Sequence, residues 1–192
     1  MSLNMWTGQE TPTKNKVEDI QKALQIDAVT ATLLIQRGIE TYEEAKTFFR
    51  PSLSDLHDPF LMKDMDKAVE RIEKSIANNE NILVYGDYDV DGATSAAILA
   101  KYFKQINQPF KFLIPDRIKD GYGPNEKGFD FLINKGSKLI ITVDCGISSH
   151  MAILHARNKS IETIIIDHHQ GDLKLPDATA IVNPNRINDE SK

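Results

Sequence analysis

The run Gly86-Asp87-Tyr88-Asp89-Val90-Asp91-Gly92 sets three carboxylates at alternate positions, directly after the apolar stretch Ile82-Leu83-Val84-Tyr85. Alternate residues of an extended chain share a face, so these acids crowd one strand end and repel each other unless a cation lies between them. Two later apolar stretches end in the same way. Leu139 to Val143 runs into Asp144-Cys145-Gly146, and Ile161 to Ile166 runs into Asp167-His168-His169. Oxygen and imidazole donors from three strand ends, with no thiolate, suit manganese or magnesium better than a structural zinc. Two such ions roughly 3.5–4 Å apart, bridged by one Asp, activate a water and clamp both oxygens of an in-line phosphoryl displacement. That is phosphoesterase chemistry, and it needs no serine or cysteine nucleophile.

Neighbouring residues of an extended chain face opposite ways, so one imidazole of the Asp-His-His run is expected to ligate while the other faces the substrate. Asp167 then orients an imidazole from behind. By the same alternation Cys145 is expected to be a small buried thiol rather than a ligand. Two competing readings fail on spacing. An EF-hand loop beginning at Asp87 would need a bidentate Glu at its twelfth position, which is Ile98, and a preceding helix where a strand stands. A dinucleotide fingerprint beginning at Gly121 would need its third glycine at Glu126, and no phosphate loop occurs in the chain. Arg117, Lys119 and Tyr122 of that same segment are instead suited to grip a phosphate and stack on a base.

Strands alternating with helices must carry these groups. After Asn81 the pattern predicts strand 82–85, helix 93–106, strand 110–114, a loop to Pro124, helix 125–135, strand 139–143, helix 148–157 and strand 161–166. Such alternation implies an α/β fold with a mostly parallel sheet and helices on both faces; a five-stranded, Rossmann-like sheet is expected, of which the pattern marks these four strands. Ligands of these sheets bind beyond the carboxyl ends of the strands, where all three acidic motifs fall. Residues 1–16 are polar and read as a flexible arm, with Met1-Ser2-Leu3 as a leader unrelated to function. Residues 17–79 read as a small helical segment, in which Leu33-Leu34 leads to a stop at Gly38. Thr41 and Glu44 are spaced as a capping box, and a last helix spans 64–77. The sheet domain is then 80–192.

The formal charge of -5 argues at first against a nucleic-acid partner. Two divalent ions would bring it to about -1, and Lys101, Lys104, Lys111, Arg117, Lys119 and Lys127 fall in the segments bordering the site. The single Cys145 permits no internal disulfide, and no apolar run approaches the roughly 20 residues of a membrane span. The expected localisation is cytoplasmic, with no membrane partner.

At these motifs the chain resembles the DHH-family phosphoesterases, named for the Asp-His-His run. The blocks GDYDVDGATSAAIL, IPDRIKDGYGPN, TVDCGIS, IDHH and AIVNPN carry the resemblance, over about residues 80–185. Within that family they are most similar to bacterial exonucleases specific for single-stranded DNA. The resemblance implies a manganese- or magnesium-dependent hydrolase that removes 5'-mononucleotides from single-stranded DNA in recombination and repair. Its partners would include a helicase and a single-strand-binding protein. It also implies residue roles: Asp89, Asp91, Asp144 and His168 hold the metals, with Asp144 bridging. His169 contacts the scissile phosphate, Asp87 lies at or just behind the metals, and Arg117 and Tyr122 hold the substrate. Four residues before Asp89, where related pyrophosphatases have a metal-binding His, this chain has Tyr85, a poor ligand that leaves Asp87 as its substitute.

Family members supply a further Asp ligand and two further domains beyond the Asp-His-His motif. The chain is therefore expected to be an N-terminal fragment that folds its sheet, binds metal weakly and cleaves DNA poorly or not at all. The alternatives are a family enzyme acting on short oligoribonucleotides or nucleotide phosphates, and a non-catalytic replication scaffold. Clustered repelling carboxylates speak against the scaffold.

Overall fold

Five apolar segments assemble into one parallel sheet: β1 (Asn81–Gly86), β2 (Phe110–Leu113), β3 (Ser137–Val143), β4 (Glu162–Ile166) and β5 (Ala180–Val182). Their order is β2-β1-β3-β4-β5, and every neighbouring pair is parallel. The computed structural model describes residues 8–191. The Met1-Ser2-Leu3 leader and the first part of the expected arm lie outside them.

Side-chain alternation along β1 explains both layers. Ile82 and Val84 point to one face, where they pack with Ala96 and Phe103 of α5 (Val90–Gln105) and Ala68 of α4 (Met65–Ala77). Leu83 and Tyr85 point to the other, against Phe129 and Leu132 of α6 (Glu126–Ile133) and Ala152 and Ile153 of α7 (His150–Asn158). With both faces covered, the strands need no polar side. The chain leaves β1 toward β2 on one side, then returns to build β3, β4 and β5 on the other. The direction therefore reverses between β1 and β3, and that gap at the carboxyl edge is where sheets of this kind bind ligands.

The chain divides into two compact units at His57/Asp58. This revises the expected boundary near residue 79, because α4 buries Ala68 against the sheet rather than among the earlier helices. Arg186, after β5, ties α4 to the sheet edge: its guanidinium lies 2.7 Å from Asp64, the residue before α4, and 2.6 Å from the Ile181 carbonyl. The first unit holds α1 (Lys14–Leu24), α2 (Ala28–Ile35) and α3 (Tyr42–Phe49) around Ile20, Leu34, Ile35, Ile39 and Ala45. Its α1 starts three residues before the predicted helical segment, because the Val17 amide already reaches the Thr13 carbonyl. The Thr41 and Glu44 capping box is present. Among the described residues no helix is long and apolar enough to cross a membrane.

Candidate metal centre

One further ladder hydrogen bond past each strand end fixes the acidic residues. The Asp87 amide donates to the Val143 carbonyl at 3.3 Å, Asp144 to Ile166 at 2.9 Å, and Asp167 to Val182 at 3.0 Å. Each aspartate is thus pinned to the last residue of the adjacent strand, and the three line the carboxyl edge in order. Asp144 completes this geometry with φ +60°, a left-handed conformation that Asp and Asn tolerate better than other residues with a side chain.

Two triads result. Asp87, Asp89 and Asp144 each bring a carboxylate oxygen within 4.8 Å of the others, and Asp144, His168 and His169 do the same with one oxygen and two ring nitrogens. Asp144 belongs to both. Its two carboxylate oxygens are buried and accept no hydrogen bond from the described residues. His168 Nε2 approaches one of them to 2.9 Å, but without the alignment of a hydrogen bond. Burial, and then the Asp89 carboxylate, push the Asp144 carboxyl above its usual range, while the Gly92 amide first of all lowers Asp89. Buried acceptors without donors, a second carboxylate and an approaching imidazole nitrogen are groups that a divalent cation would satisfy together. The donors are oxygen and imidazole, so they fit manganese or magnesium.

Not every expected ligand joins the triads. The helix α5 begins at Val90, three residues earlier than predicted, because Asp89 caps it: one carboxylate oxygen accepts from the Asp91 and Gly92 amides, both at 3.0 Å. The side-chain period changes there from two to 3.6 residues, so Asp91 leaves the row of acids. It lines the same cleft of about 330 Å³, beside Thr94, Ser95, Asp144 and His168, but stands outside both triads. The expected separation of the two imidazoles is also corrected. Strand β4 stops at Ile166, the next residues turn, and the two rings lie side by side with centroids 4.6 Å apart and planes 36° apart.

Asp167 organises that turn. Its Oδ1 accepts from the His168 and His169 amides and lies 2.7 Å from His169 Nδ1, while Oδ2 accepts from the Ile147 amide at 3.0 Å. A carboxylate only accepts, so His169 Nδ1 carries the proton and Nε2 presents its lone pair, 3.4 Å from the Tyr122 hydroxyl. The bond to Asp167 raises the His169 pKa, and burial pushes the Tyr122 phenol up to about 12. Tyr122 meets Tyr88 edge to face at 6.4 Å, and Arg117 lies over the Tyr88 ring at 5.3 Å. Arg117 and Tyr122 thus reach the site rim. Tyr88, which sequence reasoning missed, joins them; its only signal was an aromatic between two acids.

Tyr85 is no ligand. It is fully buried, packs edge to face with Phe129 and donates to the Gly123 carbonyl at 3.1 Å, so it props up the loop that carries Tyr122. Cys145 is buried as expected, with its thiol pushed well up by desolvation. Lys101 and Lys104 lie in the last turns of α5 and Lys111 near the start of β2, so they do not border the site; of the expected cations only Arg117, over the Tyr88 ring, has a contact at its rim among the described residues.

Residues 81–192 match the family described as "DHH family, N-terminal domain". The chain is 41% identical over 175 residues to the single-stranded-DNA-specific exonuclease RecJ of Bacillus subtilis, which covers 91% of this chain and 22% of that protein. With RecJ of Escherichia coli it is 40% identical over 125 residues, 65% of this chain and 22% of the relative. A crystal structure of exonuclease RecJ bound to manganese superimposes with a TM-score of 0.64 at 29% identity, covering 70% of this chain and 34% of that one. RecJ from Thermus thermophilus in complex with Mn2+ shares the fold, with a TM-score of 0.68 at 24% identity over 94% of this chain and 25% of its own. The chain therefore spans about a quarter of the length of the curated relatives it matches.

Proposed function

This chain belongs to the DHH family, and we propose that it forms the metal-binding part of a RecJ-type exonuclease, which removes mononucleotides from the 5' end of single-stranded DNA during recombination and repair in the cytoplasm. The observation that carries this reading is Asp144, whose two buried, undonated oxygens stand between Asp89 on one side and His168 on the other. Asp87, Asp89, Asp144 and His168 would hold one or two Mn2+ or Mg2+ ions, with Asp91 lining the same cleft outside both triads. When bound, such ions polarise a phosphodiester and lower the pKa of a water.

The remaining steps belong to the chain. Asp167 fixes the His169 ring with Nε2 on the side of the Tyr122 hydroxyl, from where the imidazole, once protonated, would donate to a non-bridging phosphate oxygen. Tyr88 and Tyr122 offer aromatic faces on which an unpaired base can stack, and Arg117 adds a cation beside them. A duplex presents neither free bases nor a flexible end to this rim, which favours a single strand.

The test is release of 5'-mononucleotides from an end-labelled single-stranded oligonucleotide by the full-length protein with Mn2+, against a dinucleotide substrate and against the Asp144→Asn variant. Preferential turnover of the dinucleotide would replace the exonuclease reading with that of a short-oligonucleotide hydrolase. Unchanged turnover by Asp144→Asn would sink the metal mechanism.

A further inference from the structure

We propose that Asn183 and Asn185 are positioning residues that clamp the Asp-His-His turn, holding both imidazoles toward Asp144; the proposal rests on the metal-centre reading above. His168 and His169 lie beyond β4, where no ladder holds their carbonyls, and among the described residues no backbone group bonds either one. Two side-chain amides do so instead. Asn183 Nδ2 donates to the His169 carbonyl at 3.0 Å, and Asn185 Nδ2 donates to the His168 carbonyl. Each imidazole-bearing residue thus has its own carboxamide.

The two carboxamides brace each other. Asn183 Oδ1 accepts from the Asn185 amide at 2.7 Å, so Asn183 donates to the turn with one end and fixes its partner with the other. Asn183 is fully buried and directly follows β5, and Arg186 beyond it is anchored on Asp64 and the Ile181 carbonyl. The clamp is therefore built on the sheet and held from behind. A carboxamide donates and accepts at these two points at once, which a carboxylate of the same shape cannot. In Asn183→Asp an acceptor would face the His169 carbonyl, a repulsive contact with the shape of the side chain kept.

The test uses the metal-free 192-residue chain with isotope-labelled histidine, its His168 and His169 signals assigned through His168→Gln and His169→Gln. The native chain should show a through-space contact between the two rings. Asn185→Ala, at a half-buried position, and Asn183→Asp should each lose that contact, while the methyl signals of Ile164 and Ile165 in β4 stay in place. Mn2+ affinity by calorimetry should fall about 10–100-fold in both, as for residues that orient ligands from behind. Unmoved imidazole signals in both variants would overturn the clamp. So would loss of the β4 methyl signals in both, since the asparagines would then hold the fold rather than the turn. A native chain that binds no Mn2+ would refute the metal centre instead, and the imidazole signals would still decide the clamp.

Discussion

Asp167 Oδ1 lies 2.7 Å from His169 Nδ1, and the same carboxylate receives the backbone amides of His168, His169 and Ile147, so one buried side chain sets both the shape of the turn and the tautomer of the ring. Asp167→Asn keeps the shape but turns one acceptor into a donor facing N–H groups. We expect a loss of about 2 kcal/mol in stability, typical for hydrogen bonds to a charged group, and a drop in turnover of about 10–100-fold in the full-length protein. Urea denaturation and steady-state kinetics measure the two effects separately.

At Asp144 the choice of substitution separates chemistry from backbone. Asp144→Asn preserves the left-handed φ of +60° and should fold as the native chain does, yet lose Mn2+ binding and, in the full-length protein, at least about 100-fold in activity. Asp144→Ala should lose the same activity and about 1 kcal/mol of stability as well, because alanine tolerates that conformation less. Equal melting temperatures for the two variants would contradict this.

Cation binding should stabilise the chain. Asp144 and Asp89 repel each other without a positive charge between them, so Mn2+ at 100 times its Kd should add about 2.7 kcal/mol and raise Tm by roughly 5–10 °C. Calorimetric scans with and without metal, and with Asp89→Asn as a control whose metal-dependent rise is smaller, check this.

Gly92 sits where a Cβ would fall 2.4 Å from the Asp87 carbonyl oxygen and 2.5 Å from its amide nitrogen. Gly92→Ala must displace either the start of α5 or the Asp87 backbone, and should weaken Mn2+ binding by about tenfold or more through misplaced carboxylates. A Mn2+ titration of the variant gives the answer; wild-type affinity would mean that the helix start moves freely.

Acid should loosen the junction of α4 and the sheet. Burial raises the Asp64 pKa, but the bonds from Lys67 and Arg186 outweigh it and leave the carboxyl below its usual range. A group depressed on folding stabilises fully above its unfolded pKa of about 3.9, and that contribution disappears as pH falls through the folded value. Asp64→Asn should therefore be less stable than the native chain at pH 7, with the difference shrinking below about pH 4. A gap that does not change down to pH 2 would assign the effect to packing alone.

Much of the sheet was legible because its signals are local: β1, β3 and β4 each carry a short apolar run, Ile82 to Tyr85, Leu139 to Ile141 and Ile164 to Ile166, and α5 shows its buried face at helical spacing. The three-residue β5 is too short for any periodicity to reveal its place in the sheet, and its role depends on pairing with β4. At the site, residue types predicted the cluster, but extended-chain alternation misjudged its details. It put Asp91 in the row of acids, where the start of α5 turns it away, and it set His168 and His169 on opposite faces, where the turn brings them together. Asn183 and Asn185 gave no chemical signal, since a carboxamide that bonds a carbonyl looks in sequence like any loop asparagine.

The last ladder bond of each strand makes the centre a product of the whole sheet. Asp87 leans on β3, Asp144 on β4 and Asp167 on β5, so no contiguous peptide from this chain carries the arrangement in miniature. Because such long-range pairings are slow to close, cation uptake after dilution out of denaturant should lag behind the return of helical circular dichroism, and would clock the arrival of the final, shortest strand.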